Sequence, residues 1–318
     1  MKGGSLVLLL TVLLGFLRHT KGTGAGHQQC ASPDTSTVTK NNFDWKYDAV
    51  VAPGQYKSIE FDDLPGFTRS VSKRNYALVT PESHVWARNP LWDNAMTAHI
   101  ISPAVGSNFA MYMAKMNADG RGRNPLNDGI ERFIVVLNGT VSVTADTGVD
   151  EKGVVLNGGD FMYLPCNISH NIATWQDKNA VLLVFERKYK VKGVVPKFHH
   201  GSIDAMPTVP AAGEVFTLRK LLPDVYDYDF NIHVMDFMPG EHLNVREVHY
   251  NQHGLLLVHG KGIYRLGDDW MPVKKGDAIW MAPYVPQWFA ALGNEPARYI
   301  LYKDTTEDPL HSSEMSIV

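Results

Sequence analysis

The chain has 318 residues, 44% of them hydrophobic, and a formal net charge of −3. That is enough for one large domain or two of ordinary size, and seven Trp, 13 Tyr and 13 Phe exclude a disordered chain. Without a basic surplus there is no electrostatic footprint for nucleic acid, which is not expected as a partner.

The N-terminus reads Met1-Lys2, then an apolar run over residues 6–17, then Arg18-His19-Thr20-Lys21 and small residues to position 26. A basic start, a short apolar core and a small-residue exit predict a secretory signal peptide over 1–26. The run is too short for a comfortable membrane span. No second apolar run of 18 or more follows, so no membrane partner is expected for the mature chain. The expected localisation is the secretory pathway, with the endoplasmic reticulum as compartment, although Met315-Ser316-Ile317-Val318 is no KDEL-type signal. Asn138-Gly139-Thr140 and Asn167-Ile168-Ser169 are candidate glycosylation sequons. Cys30 and Cys166 are compatible with one disulfide and equally with two free thiols.

Residues 27–74 form a polar, irregular N-terminal segment with Pro33, Pro53 and Gly54. From about residue 75 short β-rich runs dominate, such as Phe133-Ile134-Val135-Val136-Leu137, Ala180-Val181-Leu182-Leu183-Val184-Phe185 and Leu255-Leu256-Leu257-Val258. Gly, Asn, Asp and Pro punctuate them, and no long helical periodicity occurs, so the expected class is all-β.

An internal repeat organises these runs. Asn138-Gly139-Thr140-Val141 leads to Gly159-Asp160 and on to His170. Likewise His259-Gly260-Lys261-Gly262 leads to Gly276-Asp277 and on to Gln287. Two tandem jelly-roll-type β-barrels follow: barrel one over 75–190, a Pro-containing linker over 191–212, barrel two over 213–310, and a tail over 311–318.

Barrel two carries Glu247-Val248-His249-Tyr250-Asn251-Gln252-His253. Its carboxylate and two imidazoles share one parity, so on a strand they face one side. On a helix the first two would diverge by about 200°. Gln287 ends the motif Ala282-Pro283-Tyr284-Val285-Pro286-Gln287 at the matching late position. Two imidazoles, a carboxylate and an amide oxygen suit Mn²⁺, with Fe²⁺ and Zn²⁺ as alternatives, and octahedral coordination leaves two positions open for water or substrate. In barrel one only His170 has a matching place. Aligning Gly139 with Gly260 sets Leu126, Asp128 and Arg132 against Glu247, His249 and His253, so barrel one is expected to be metal-free, a scaffold or an oligomer interface.

Glycine, ligand cluster, glycine before a hairpin, Gly-Asp and a late ligand together resemble the cupin arrangement, with a permuted ligand set. Glu247 and His249 stand in place of the usual His-x-His, His253 in place of the Glu, and Gln287 in place of the late His. This set resembles the plant (S)-ureidoglycine aminohydrolases, two-barrel cupins of allantoin breakdown. So do Leu64-Pro65-Gly66-Phe67-Thr68-Arg69-Ser70-Val71, Thr80-Pro81-Glu82-Ser83-His84 and Trp280-Met281-Ala282-Pro283-Tyr284-Val285-Pro286-Gln287-Trp288, within a likeness that runs over about 60–304. The resemblance implies a Mn²⁺ hydrolase converting (S)-ureidoglycine to (S)-ureidoglycolate and ammonia, assembled as a homo-oligomer, an octamer. It implies metal ligands Glu247, His249, His253 and Gln287. It also implies a pocket that uses Lys303 and Tyr299 of the last strand, with Tyr264 of the hairpin strand as a further substrate contact. Lys303 would anchor the substrate carboxylate, and Glu247 would touch substrate and serve as a candidate base. The rivals are a metal-dependent cupin oxidase or dioxygenase, whose usual ligand set is absent, and a metal-free storage or sugar-binding bicupin, which has no need for the four residues to converge.

Overall fold

The computed structural model describes residues 68–308 apart from 126–128, 147–152, 167, 177 and 211–212. The expected signal segment 1–26, residues 27–67, the tail, Cys30, Leu126, Asp128 and Asn167 lie outside the described residues. Strands and three short 3-10 turns make up the regular structure, and no α-helix occurs among the described residues.

The fold is all-β, as the punctuated apolar runs predict. In barrel one, strand Ile130–Asn138 lies between Asp160–Leu164 and Ala180–Lys188, and the last pairs with Ala110–Gly122. Barrel two repeats the order: His253–His259 lies between Ala278–Met281 and Ala297–Asp304, and the last pairs with Phe230–Phe237. The register repeats as well. Arg132 faces Leu164 and Glu186, and His253 faces Met281 and Lys303. Thus Arg132 corresponds to His253, Glu186 to Lys303 and His170 to Gln287.

The repeat motifs have local causes. Gly139 and Gly260 hold φ of +79° and +71°. A Cβ there would sit 2.3 Å from the Asn179 carbonyl oxygen and 2.2 Å from that of Pro296, so only glycine fits where each hairpin begins. The Asp of each Gly-Asp closes the preceding turn: Asn157 N–H donates to Asp160 Oδ2 at 2.8 Å, and Lys274 N–H to Asp277 Oδ2 at 2.9 Å.

The barrels exchange edge strands. Tyr76–Val79 pairs with Ala278–Met281 of barrel two, while His199–Ser202 pairs with Asp160–Leu164 of barrel one. Residues 75–79, expected within barrel one, therefore complete the sheet of barrel two. Residues 191–212 join the barrels in the chain, yet they carry the strands His199–Ser202 and Thr208–Val209. Proline content marks a connection but does not say what the extended backbone beside it pairs with.

Alternation within each strand splits its side chains between a barrel interior and the contact with the other barrel. Ile134, Val136, Leu182 and Val184 fill barrel one, and Leu255, Leu257, Tyr299 and Leu301 fill barrel two. The intervening residues Phe133, Val135, Leu183, Phe185, Leu256, Val258, Ile300 and Tyr302 form one shared core between the barrels. Stacked rings anchor that core, with Phe109 on Tyr302 at 3.9 Å between centroids and Phe230 on Tyr302 at 5.1 Å. Each such ring buries roughly 150–250 Å². Polar pins flank it: Asn108 Nδ2 donates to Asp304 Oδ2 at 3.0 Å, and Arg187 donates to the Tyr302 hydroxyl at 2.8 Å and pairs with Asp229.

Candidate metal centre

The carrier stretch differs from the expected strand. Residues 247–252 are an extended loop, and the strand begins only at His253. The same-face geometry therefore comes from a clamp rather than from strand parity alone. Glu247 and Gln287 exchange both backbone hydrogen bonds at 3.0 Å, and Tyr284 N–H donates to the His249 carbonyl at 2.8 Å. Tyr284 adopts φ of 62° to do so, a left-handed conformation uncommon for a bulky residue. These bonds hold the two ligand-bearing loops together.

The four side chains meet. Gln287 Nε2 lies 3.3 Å from Glu247 Oε2, 3.1 Å from His249 Nε2 and 3.2 Å from His253 Nδ1. The two imidazoles are 4.8 Å apart. His253 and Gln287 are each 3% exposed, while Glu247 and His249 open toward solvent. The Tyr264 hydroxyl donates to Gln287 Oε1 at 3.1 Å. Among the described residues no three His, Cys, Asp or Glu side chains close around an ion by themselves; here the amide of Gln287 stands at the centre of the other three donors.

The donor set fits a divalent cation. Three lone-pair-bearing atoms converge on an amide N–H₂, a partial positive charge where an ion would bring a full one. Donors about 2.1 Å from an octahedral ion lie roughly 3 Å from their neighbours, close to the spacings found here. A half-turn of the Gln287 amide exchanges its oxygen and nitrogen at the same positions, presenting Oε1 as the fourth donor. Burial, and then the charges of His249 and Lys303, hold His253 well below the ordinary imidazole range. It is therefore neutral and keeps the lone pair that ligation requires.

Lys303 sits directly across from His253 on the neighbouring strand. Burial lowers its pKa while the Glu247 carboxylate opposes that shift. Tyr264 is buried against the amide. Tyr299 is buried as well, with the Phe237 and Phe289 rings each 5.5 Å away. Burial, followed by Tyr264 and Glu247, keeps its hydroxyl protonated.

The corresponding space of barrel one is built otherwise. Arg132 donates through Nε to Glu186 Oε1 at 2.7 Å, and its Nη1 lies 2.9 Å from His170 Nε2. Burial and then the guanidinium push His170 down to about 4. A fixed cation thus stands where barrel two has the His253 imidazole.

His233 and Lys220 line the same interior face of barrel two, and the motif reading passed over both. The repeat carries a signal for them, because Tyr112 and His99 of barrel one have the same cross-strand pairing. In barrel one that ring pair stacks at 4.8 Å.

Fold and site together define a two-barrel cupin with a mixed imidazole, carboxylate and amide cluster in its second barrel. The family model described as "Cupin domain" matches residues 233–302. An Arabidopsis thaliana protein named (S)-ureidoglycine aminohydrolase is 46% identical over 96% of this chain and 99% of its own. An Escherichia coli K12 protein of the same name is 28% identical, covering 78% of this chain and 95% of its own. The crystal structure of protein Ylba from E. coli superposes with a TM-score of 0.67 at 26% identity, covering 79% of this chain and 99% of that one. This chain belongs to the (S)-ureidoglycine aminohydrolase family.

Proposed function

We propose that this chain is a Mn²⁺-dependent hydrolase that converts (S)-ureidoglycine to (S)-ureidoglycolate and ammonia in purine breakdown. The observation that carries the reading is the similarity to the Arabidopsis aminohydrolase over nearly the whole of both chains. The convergent donors of barrel two support the metal. Glu247, His249, His253 and Gln287 would hold it, and when bound a divalent ion supplies Lewis acidity toward the reacting carbon and its nitrogen or water. The reaction breaks the bond from the α-carbon to the amino nitrogen and forms one from that carbon to a water oxygen, with the amine leaving as ammonia. Lys303 pairs with the substrate carboxylate and sets its orientation. Tyr264 and Tyr299 bound the pocket, and Tyr264 also fixes the Gln287 amide. Glu247, 34% exposed, is the group of this chain placed to take a proton from water, although tight metal ligation would weaken it as a base.

Ammonia release from freshly generated ureidoglycine tests the reading. Glu247→Ala is expected to abolish release, and oxygen consumption in place of ammonia would favour a cupin oxidase. We also propose entry into the secretory pathway, residence in the endoplasmic reticulum and self-association into a homo-oligomer. A reporter fused after residue 26 and light scattering of the purified protein test these.

A further inference from the structure

The two barrels repeat one another in register but not in charge, and the difference gives His233 a role. In barrel one Glu186 faces Ala110, while Tyr112, two residues on, faces Val184. Tyr112 and Glu186 are therefore diagonal neighbours on the interior face, within reach of long side chains. They use that reach: the Tyr112 hydroxyl donates to Glu186 Oε1 at 2.8 Å. In barrel two the same diagonal joins His233 to Lys303, since Lys303 faces Asn231 and His233 faces Leu301. Lys220 faces His233 from the other side, as His99 faces Tyr112. Donor and acceptor are exchanged between the copies. Barrel one has a hydroxyl donor bonded to a carboxylate; barrel two places an imidazole diagonal to an ammonium.

We propose that His233 is a positioning residue of the second barrel: its imidazole, the diagonal neighbour of Lys303, is the acceptor on which that ammonium settles as it meets the carboxylate of the substrate. Lys220 and Lys303 flank the ring, and burial together with these two cations pushes it down to about 3, so it offers a lone pair rather than a competing charge. Lys220 is itself tied outward to Asp224 at 2.7 Å, which leaves Lys303 as the cation directed at the pocket. An ammonium on a flexible four-carbon stem loses substantial rotamer freedom when it must meet a carboxylate. A fixed acceptor beside it removes part of that cost. The role rests on the reading of Lys303 as the carboxylate anchor of a ureidoglycine hydrolase.

His233→Phe keeps the ring volume and removes the acceptor; His233→Gln restores an acceptor. In the full-length, Mn²⁺-loaded protein, His233→Phe is expected to raise KM for (S)-ureidoglycine about tenfold, equivalent to about 1.4 kcal/mol, with kcat and bound Mn²⁺ changed less than about twofold, and His233→Gln to recover most of the loss. Combined with Lys303→Met, His233→Phe should raise KM no further, because its effect runs through the lysine. An unchanged KM in His233→Phe, or full additivity in the double variant, overturns the proposal. If the unaltered protein releases no ammonia from ureidoglycine, the functional reading fails on its own. The pair is then judged by melting temperature, where the losses in His233→Phe and Lys303→Met must sum to more than the loss in the double variant, and strict additivity overturns it.

Discussion

Single side chains in the second barrel do two things at once, and Tyr264 shows it most clearly. Its hydroxyl bonds the Gln287 amide, donating to Oε1 here and accepting from Nε2 once the half-turn brings Oε1 toward a cation, so it steadies the donor end of that amide. Outer-shell partners of this kind are typically worth about 10–100-fold in metal affinity. Tyr264→Phe should therefore weaken Mn²⁺ binding by about that factor, measured by titration of the metal-depleted protein, while circular dichroism stays unchanged. In the first barrel the corresponding test is one of pH. The His170 imidazole sits at about 4 in the folded chain, below its ordinary value near 6.5. A proton therefore prefers the unfolded chain. The stabilisation is complete above pH 6.5 and is lost as pH falls toward 4, by up to about 1.4 kcal/mol per unit. Urea midpoints compared across that window should fall less steeply in His170→Gln, and an identical slope would contradict the assignment. At this scale the sequence was most legible where several donors share a motif. Glu247, His249, His253 and Gln287 announce themselves together, whereas His233 has no chemical neighbour in sequence and becomes visible only once the strands are in register.

Strands and turns explain why the repeat motifs recur. Gly139 and Gly260 are required by a carbonyl pressed against each hairpin, and Asp160 and Asp277 close the following turns. These are local effects, and local effects are what alternation, Gly and Asp record. The exchanged strands left no such record. Tyr76-Ala77-Leu78-Val79 reads as an ordinary buried strand whichever barrel it joins, because pairing across some 200 residues depends on the partner edge and not on the strand itself. Its anchor is Arg69, which donates to both oxygens of the buried Asp277 at 3.0 and 2.7 Å. Removing one partner of a buried pair costs about 3–5 kcal/mol. Arg69 is 29% exposed, so Arg69→Ala should cost less, about 1–3 kcal/mol. An unchanged urea midpoint would show that the exchanged strand does not need this clamp.

The two barrels form one structural unit over the described residues. The shared core, the exchanged edge strands and the Asn108–Asp304 and Arg187–Asp229 pins all cross between the repeats. Cleavage within the connection 191–198 should therefore leave the halves associated, eluting together on gel filtration without denaturant, and separation of the halves would contradict a shared core. This arrangement gives barrel one its part. It holds a guanidinium where the other barrel has its donors, and it lends a strand and half of the common core to the barrel that carries the site. Most directly decisive is ammonia release from freshly generated (S)-ureidoglycine by metal-depleted protein as Mn²⁺ is added back. Release that is absent at first, returns with stoichiometric Mn²⁺ and stays absent in Gln287→Ala is the predicted result. Release that survives metal depletion, or that Mn²⁺ fails to restore, would contradict a hydrolase whose second barrel holds the metal.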